Sequence, residues 1–441
     1  MIKSVDILYF IEHTARELDI ACAVKYLAQN KYNLRVEICS IAVGLGDTLA
    51  RYQPEVVALP YCVSVHDLGL AQIVSHWPRA RYINLSFEQL LGKTQKKFKA
   101  PRDDFSRQYV FHHAWGEFFA QYLQANHVTR SQIAVNGNPS YMLYRCPYKA
   151  YYQPRKELAQ QYGLDPEKRW VFIPENYGWA FFEDHMLRDR IRRGFDPDDA
   201  YRYRDFARDS LRAAAGWWRD ASKLDSIELI VRPRPAIPRE QFIETVRAMA
   251  GDVPKTLHFI KQGTVREWIL ASDMIFSSYS TTLLEAAVAQ KPLSMLMPFP
   301  FPDFLYAPWY DVAAKVETGD AFFDVLTQPQ LESNWQPLEN WVIDNMMSNG
   351  DAIANLADLF ASVIAGDISV PQPVSVGRDL TNFSWGQVKR SLRKTSWNLY
   401  QSGLSALGIK TRDQVWNPHE RDIISPDDVE SRVARWAKVL N

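Results

Sequence analysis

The sequence predicts an α/β protein with two Rossmann-like domains and a C-terminal helical tail. Strand-like apolar runs alternate with helical patterns, an aromatic, proline-bearing stretch at residues 147–154 interrupts this alternation like a linker, and the alternation then begins again. The 441 residues are also too many for one ordinary core. We therefore expect domains at residues 1–150 and 151–365, followed by a tail at residues 366–441.

Strand-like runs in both domains are separated by helical patterns, which is the order expected of a mostly parallel, helix-covered sheet. In the first domain they are Val5–Phe10, Arg35–Ser40, Val56–Leu59, Arg81–Leu85, Val110–Ala114 and Ile133–Val135. In the second they are Trp170–Pro174, Ile227–Val231, Leu257–Ile260, Met274–Phe276 and Leu293–Met297. Helices are expected at Arg16–Gln29, Asp198–Leu224 and Ala352–Ala365, and from about Thr281.

Two strands of the second domain end in groups that attract anions. One runs into arginines held between prolines, and the next leads into a Ser/Thr-rich turn and a helix. Arginine supplies bidentate donors for phosphate oxygens, and a helix N-terminus favours negative charge. Because the ligands of such sheets bind at the carboxyl ends of the strands, we expect a phosphate site there. Its residues would be Arg232, Arg234, Ser280, Thr281 and Thr282.

Glu285 lies about one turn inside that helix, where its carboxylate can accept hydrogen bonds from ribose hydroxyls. Each feature alone also has a simpler explanation, since Arg232 and Arg234 can be surface residues and Ser or Thr commonly caps a helix. Their combination in two consecutive β–turn–α units favours a site for a nucleotide attached to a sugar.

Several segments occur in an order that resembles the bacterial surface carbohydrate biosynthesis proteins. They are the RELD of Arg16–Asp19 after Glu12, the WGE of Trp115–Glu117, the V-x-GNP of Val135–Pro139, the YG of Tyr162-Gly163, the RPRP of Arg232–Pro235 and the Ser/Thr-rich block that continues to Lys291-Pro292. The resemblance covers roughly residues 5–300. It implies a GT-B-type glycosyltransferase, distantly similar to the Kdo transferases of capsule and lipopolysaccharide assembly, with two domains facing a central cleft.

One position departs from that family, which usually has RPHP where this chain has Arg232-Pro233-Arg234-Pro235. An arginine can still contact phosphate, but it does not deprotonate and cannot act as a neutral acid or base. The resemblance further implies that the C-terminal domain binds a nucleotide-sugar donor, for which CMP-Kdo or a related acidic sugar is a candidate. The N-terminal domain would bind a glycan or glycolipid acceptor.

Glycosyl transfer also needs a base for the acceptor hydroxyl. The loop after the first strand carries Glu12 and His13, and Glu12 is the preferred base with His13 as its alternative. Glu175, after the first strand of the second domain, can contact the donor sugar, or stabilise or attack the anomeric carbon in a retaining mechanism. The competing interpretation for Glu12 is a charge at a helix N-terminus that the helix dipole favours. For Glu175 it is a strand-end residue that bonds a nearby turn.

Other polar residues are expected on the acceptor side. Arg16 follows the same first strand, and Asp19 is expected to orient it through an i, i+3 pair. Glu88 follows a later strand of the first domain as a weaker candidate. Asn138 flanks Gly137 in a tight turn, where a turn role is favoured over ligand contact.

Composition narrows the function classes. The 51 basic and 51 acidic side chains balance, so no nucleic-acid partner is expected. Four scattered cysteines favour a reducing cytoplasm. Neither the histidines nor Asp198, Asp199 and Asp303 form a metal motif, so we predict a metal-independent enzyme without a cofactor. There is no secretory signal pattern and no apolar stretch long enough to span a membrane.

The tail mixes basic residues with tryptophans between Trp385 and Lys410. Such a segment can contact an anionic membrane peripherally on its cytoplasmic side, but packing of the tail on the N-terminal domain is favoured. Two alternatives to a glycosyltransferase stay open. One is a sugar-nucleotide 2-epimerase, and the other is a non-catalytic glycan-assembly scaffold with a degenerate transferase fold.

Overall fold

The structure of the protein, a computed structural model, describes residues 2–67, 69–89, 92, 96–327, 334–347, 350–382 and 422–441. The chain divides into two compact units. Unit 1 comprises Met1–Gln89, Phe98–Ser140 and Met346–Asn441, and unit 2 comprises Leu90–Lys97 and Tyr141–Asn345.

Each unit is built on a parallel six-stranded sheet. The strands of unit 1 are β1 (Lys3–Ile11), β2 (Val36–Ser40), β3 (Tyr52–Leu59), β4 (Arg81–Asn84), β5 (Val110–Ala114) and β6 (Ile133–Val135). Those of unit 2 are β7 (Arg169–Pro174), β8 (Ile227–Arg232), β9 (Leu257–Phe259), β10 (Met274–Ser277), β11 (Leu293–Leu296) and β12 (Lys315–Val316).

Helices connect the strands. In chain order they are α1 (Asp19–Tyr32), α2 (Leu45–Arg51), α3 (Leu70–His76), α4 (Asp104–Gln108), α5 (Glu117–Ala125), α6 (Pro139–Met142), α7 (Arg155–Tyr162), α8 (Asp184–Arg192), α9 (Pro197–Ala221), α10 (Arg239–Ala250), α11 (Val265–Ala271), α12 (Thr282–Val288), α13 (Gly319–Thr327), α14 (Gln336–Met346), α15 (Ala352–Ala365), α16 (Val374–Asn382) and α17 (Pro426–Leu440). Strand–helix alternation thus confirms the predicted α/β class.

The central strands are apolar on both faces because helices cover both sides of a parallel sheet. In β1 the run from Ile7 to Ile11 is fully buried, and in β7 every residue after Arg169 is buried. This burial explains why the strands were recognisable as continuous apolar runs. β12 has only two residues, too few for a sequence pattern, and was not predicted.

Each sheet reverses its strand order beside its first strand. The order is β2-β1-β3-β4-β5-β6 in unit 1 and β12-β11-β10-β7-β8-β9 in unit 2. The reversal lies between β1 and β3 in the first sheet and between β7 and β10 in the second. Ligands of open α/β sheets bind outside the carboxyl ends of the strands at such switch points. The loops after β1, β7 and β10 therefore lie where a ligand is expected.

The chain returns to unit 1 after Met346, earlier than the expected domain boundary at residue 365. The cause is packing: α15 and α17 both lie against α1. On α17, the Arg432 guanidinium pairs with Asp19 and the Trp436 Nε1–H donates to the Asp19 carbonyl at 3.0 Å. The C-terminal helix therefore packs on the N-terminal sheet unit.

The stretch at residues 147–154 is not a loose linker, because its tyrosines are buried. Tyr148, Tyr151 and Tyr152 have exposed fractions of 1%, 5% and 8%. None of the helices in the described ranges is both long and apolar enough to cross a bilayer. The basic segment between Trp385 and Lys410 lies outside the described residues, so its proposed membrane contact stays a prediction.

Candidate functional site

Glu175 lies directly after β7 at the switch point of unit 2, and only 5% of it is exposed. One carboxylate oxygen accepts the backbone N–H of Arg234 at 2.8 Å, and the other accepts the N–H of Tyr177 at 2.7 Å. Burial raises the pKa of Glu175, while these two hydrogen bonds and the charge of Arg234 act against the rise. Its described contacts therefore join the loops that follow β7 and β8.

Arg232 ends β8, and its guanidinium donates hydrogen bonds to backbone carbonyls. Its Nη1 donates to the carbonyl of Gln262 at 2.6 Å and its Nη2 to that of Gly263 at 2.7 Å. Gly263 has φ +73°, a left-handed conformation that favours glycine. The guanidinium thus fixes the turn that precedes α11, a role the sequence did not reveal.

Arg234, two residues on, is exposed at the same edge of the sheet. Its Nη1 donates to Oδ1 of Asn176 at 2.6 Å. The side chain passes close to Gly178, where an added Cβ would come within 3.1 Å of Arg234 Cδ. A glycine at this place therefore leaves room for the arginine. Of the two predicted arginines, Arg234 is the one that presents its charge at the surface.

Asn176 connects Arg234 to the loop after β10. The Tyr279 hydroxyl donates to the Asn176 carbonyl at 2.8 Å, and Asn176 Nδ2 donates to the Tyr279 carbonyl at 3.4 Å. Burial raises the pKa of the Tyr203 hydroxyl, while a hydrogen bond with Tyr279 and the charge of Arg234 oppose the rise. Neither Asn176 nor Tyr279 was predicted, although both lie within the strand-end segments already identified.

The loop between β10 and α12 is held by its own hydroxyls. Ser277 Oγ donates to the Pro174 carbonyl at 2.5 Å. The Thr282 N–H donates to Ser280 Oγ at 3.3 Å, and the two hydroxyl oxygens lie 2.9 Å apart. Thr281 precedes the first helical residue, in agreement with the predicted helix start. The loop is thereby fixed beside β7.

Glu285 is half-buried and accepts a hydrogen bond from the Tyr144 hydroxyl. Burial raises the pKa of Tyr144 well above its usual value, and the Glu285 carboxylate raises it further. The Arg266 guanidinium lies 5.5 Å from the rings of both Tyr144 and Tyr152, at cation–π distance. Glu285 therefore belongs to an aromatic and charged cluster that the sequence did not reveal.

In unit 1, Glu12 and His13 follow β1 at the switch point, and Thr14–Leu18 forms a π-helical turn before α1. Such turns are frequent at functional sites. Glu17 in this turn is fully buried and accepts the Glu12 N–H at 2.8 Å. Burial raises the pKa of Glu17 although Arg16 opposes it. Glu12 and His13 lie at the carboxyl edge of the sheet because they directly follow β1.

Arg16 is surrounded by carboxylates. Its Nη1 donates to Glu88 at 2.7 Å, its Nη2 to Glu17 at 2.9 Å, and Glu12 lies 3.6 Å from Nη2. The expected Arg16–Asp19 pair is not formed in the described part of the chain, because Asp19 points to Arg432 instead. The structure thus gathers three predicted residues, Glu12, Arg16 and Glu88, but not Asp19.

His13 has a partner far away in the sequence. Its Nδ1 lies 3.0 Å from Oδ2 of Asp422, and the Thr14 N–H donates to Asp422 Oδ1 at 2.9 Å. Asp422 is 4% exposed, whereas the His13 side chain is 34% exposed. No local sequence signal could have indicated this pair.

Asn138 is 1% exposed and lies in the turn after β6. Its Oδ1 accepts the N–H of Ser140 at 2.9 Å, and its own N–H donates to the carbonyl of Met346 at 3.0 Å. These contacts are those of a turn residue.

Sequence comparisons with family models and with curated proteins find no match. Among solved structures, the S. aureus protein MnaA in a structure with UDP is similar over 84% of this chain and 99% of its own, with TM-score 0.52 and 11% identity. The UDP-GlcNAc 2-epimerase of Neisseria meningitidis bound to UDP-GlcNAc covers 82% and 100%, with TM-score 0.50 and 11% identity. The wall teichoic acid polymerase TagF covers 83% and 91%, with TM-score 0.53 and 11% identity. At these identities the similarity shows a shared GT-B-type fold alone.

Proposed function

We propose that the chain is a glycosyltransferase that moves a sugar from a nucleotide-sugar donor, bound by unit 2, to a glycan or glycolipid acceptor, bound by unit 1. One observation carries the proposal. The exposed guanidinium of Arg234 lies at the switch point of unit 2, joined through Asn176 to Tyr279 in the hydroxyl-rich loop after β10. This is the place where open α/β sheets bind nucleotides.

Arg234 has the chemistry that a departing nucleotide phosphate requires. A guanidinium offers up to five donors in a planar fork that matches phosphate oxygens. Preorganised charge of this kind stabilises the negative charge that develops on a leaving group. We therefore keep metal independence as part of the proposal, to be tested by measuring turnover in a chelator.

Arg232 has a different role in this proposal. Two of its nitrogens already donate to backbone carbonyls, and their loss would leave the turn at Gln262-Gly263 without its support. We assign Arg232 to the shape of the site and Arg234 to the donor phosphate. Glu285 is assigned to the ribose, with its second function as the acceptor for the Tyr144 hydroxyl.

The finer identity of the substrates rests on the sequence resemblance. On that basis we propose a bacterial surface polysaccharide or lipopolysaccharide as the acceptor and a CMP-linked acidic sugar as the donor. We also propose a cytoplasmic, peripheral-membrane location. Thermal-shift measurements with CMP, UDP, GDP and CDP distinguish the donor base, because a nucleotide that binds only the folded state stabilises it by mass action.

A sugar-nucleotide 2-epimerase is the second candidate. It is favoured by the fold shared with the N. meningitidis UDP-GlcNAc 2-epimerase at TM-score 0.50. An epimerase needs no acceptor, whereas a transferase does. Incubation with the best-binding nucleotide sugar, with and without a glycan acceptor, separates them. An acceptor-dependent release of nucleotide supports transfer, and an epimer or a glycal formed without acceptor supports the alternative.

A matched pair of variants makes this experiment specific. Arg234→Ala removes the proposed phosphate ligand, and Arg212→Ala removes an arginine on α9 whose side chain is 59% exposed and pairs with Asp209. We expect the first to lower turnover and the second to leave it unchanged. Absence of nucleotide binding in the wild-type protein would favour a non-catalytic scaffold.

A further inference from the structure

Asp422 holds the His13 imidazole in one orientation. Its Oδ2 lies 3.0 Å from His13 Nδ1, while its Oδ1 accepts from the Thr14 N–H at 2.9 Å and from the Thr14 hydroxyl at 3.3 Å. An ionised carboxylate has no hydrogen to donate. With Asp422 ionised, the hydrogen between the two side chains belongs to His13 Nδ1, and in the neutral ring Nε2 then carries the lone pair.

The C-terminal helix anchors Asp422 in this position. Asp422 precedes α17, whose N-terminus is capped by the Ser425 hydroxyl, which accepts from the Asp428 N–H at 3.1 Å. Along α17, Arg432 pairs with Asp19, and the Trp436 ring, fully buried, donates to the Asp19 carbonyl. A segment from the far end of the chain is thus fixed beside the loop that follows β1.

The other ring nitrogen of His13 lies near a second carboxylate. His13 Nε2 is 3.9 Å from Glu12 Oε1, and about a third of the His13 side chain is exposed at the carboxyl edge of the sheet. When His13 accepts a proton, its positive charge lies between Asp422 and Glu12. Glu12 in turn lies 3.6 Å from Arg16 Nη2, so its carboxylate is shared between two cationic groups.

We propose that His13 is the general base for the acceptor hydroxyl and that Asp422 is the positioning residue that fixes its tautomer. This inference rests on the proposed glycosyl transfer and assigns to His13 the role first expected of Glu12. The hydroxyl proton moves to His13 Nε2 as the acceptor oxygen bonds to the anomeric carbon. The bond from that carbon to the nucleotide phosphate oxygen breaks, and the nucleotide leaves with the electron pair and its negative charge.

Asp422→Asn is the variant that tests the positioning role. The Thr14 N–H can only donate and requires an acceptor at the Oδ1 position, which keeps the amide oxygen there and turns the amide NH₂ toward His13 Nδ1. His13 Nδ1 must then accept, and the hydrogen moves to Nε2. The corresponding change in serine proteases lowers kcat about 10⁴-fold through the wrong tautomer.

The first measurement is ¹⁵N NMR of the histidine rings of the full chain, without any substrate, at a pH where the His13 ring is neutral. His13→Gln identifies the His13 signal among the nine histidines. We expect Nδ1–H in the wild-type protein and in the control Asp427→Asn, whose carboxylate is exposed in the first turn of α17. We expect Nε2–H in Asp422→Asn. An Nε2–H tautomer in the wild type, which needs no variant to fold, would overturn the inference.

The second measurement is turnover with the best nucleotide sugar and an acceptor. Asp422→Asn and His13→Gln should each lower kcat by about 10²-fold or more, the range of general-base removal, with KM for the donor unchanged. A tautomer switch without loss of kcat would overturn the role of His13 as base. If the wild-type protein transfers no sugar, the proposed function fails, while the NMR result still decides whether Asp422 sets the tautomer.

Discussion

The buried carboxylate of Glu175 accepts the backbone N–H of Arg234 at 2.8 Å, which ties the loop after β7 to the loop after β8. Its other oxygen accepts the Tyr177 N–H at 2.7 Å. The position of the Arg234 side chain at the surface therefore depends on a carboxylate beneath it.

Glu175→Gln should lower the stability of the protein. The two carboxylate oxygens accept two backbone N–H groups, whereas the amide has only one oxygen. Its NH₂ group would face the second N–H, which then has no acceptor. An unsatisfied buried donor costs about 1–3 kcal/mol. The measurement is the free energy of unfolding in urea for Glu175→Gln and for Glu183→Gln, a control at an exposed glutamate whose side chain is 69% accessible. Equal stability of both variants would show that Glu175 does not hold the loops after β7 and β8 together.

Arg232→Ala and Arg234→Ala should have different effects on the melting temperature. Arg232→Ala removes two hydrogen bonds to backbone carbonyls and should lower the melting temperature without ligand. Arg234→Ala loses an exposed guanidinium and should leave the melting temperature nearly unchanged. Differential scanning calorimetry of the two variants decides this, with Arg212→Ala as the control. A larger destabilisation by Arg234→Ala would reverse the two assignments.

Glu285→Gln should weaken nucleotide binding while keeping the fold. The amide oxygen can still accept from Tyr144, but the negative charge that favours ribose hydroxyls is lost. Tyr144→Phe is the matched variant, because it removes the hydroxyl and keeps the carboxylate. Titration calorimetry should show weaker binding for Glu285→Gln than for Tyr144→Phe. A large loss of melting temperature in Glu285→Gln would instead mark it as a structural residue.

Stability should fall in acid through a buried histidine of unit 1. His112 is fully buried, and burial lowers its pKa from 6.5 to about 4, although a hydrogen bond to the Ser106 carbonyl opposes this. Between those two pH values the unfolded chain binds a proton that the folded chain does not. The contribution of neutral His112 to the free energy of unfolding is therefore complete above pH 6.5 and is lost as the pH falls toward about 4.

The test is urea unfolding of the wild type, His112→Gln and the exposed control His66→Gln at several pH values in this window. His112→Gln should lose less stability per pH unit than the wild type, whatever its stability at neutral pH. If the free energy of unfolding of His112→Gln falls per pH unit as steeply as that of His66→Gln, the prediction is contradicted.

The sequence was sufficient for every strand of the described sheets except β12, and for the edge at which the candidate site lies, because buried parallel strands are continuous apolar runs and ligand groups follow their carboxyl ends. It could not show that Arg232 donates to Gln262 and Gly263, since a turn partner thirty residues on leaves no local pattern. It also could not show the His13–Asp422 pair, whose members are 409 positions apart. The His13–Asp422 pair depends on how α17 packs on α1.

Glu12→Gln should leave nucleotide affinity intact and lower turnover less than His13→Gln. Glu12 belongs to unit 1, and its carboxylate lies 3.9 Å from His13 Nε2. In the proposed mechanism it stabilises charge there without taking the proton. Nucleotide titration and turnover on the same preparation check both parts. Lost nucleotide binding would place the loop after β1 in the donor site, and a deeper loss of turnover than in His13→Gln would restore Glu12 as the base.

The central claim is that Arg234 marks a nucleotide site in unit 2, and calorimetric titration tests it most directly. CMP, UDP, GDP and CDP are titrated into the wild type, Arg234→Ala and Arg212→Ala. We predict that at least one nucleotide binds the wild type and Arg212→Ala equally. Losing a charge-assisted hydrogen bond costs about 1.5–3 kcal/mol, so Arg234→Ala should bind that nucleotide roughly ten- to a hundredfold more weakly. Equal affinity of Arg234→Ala and the wild type, or no binding of any of the four, would contradict the account.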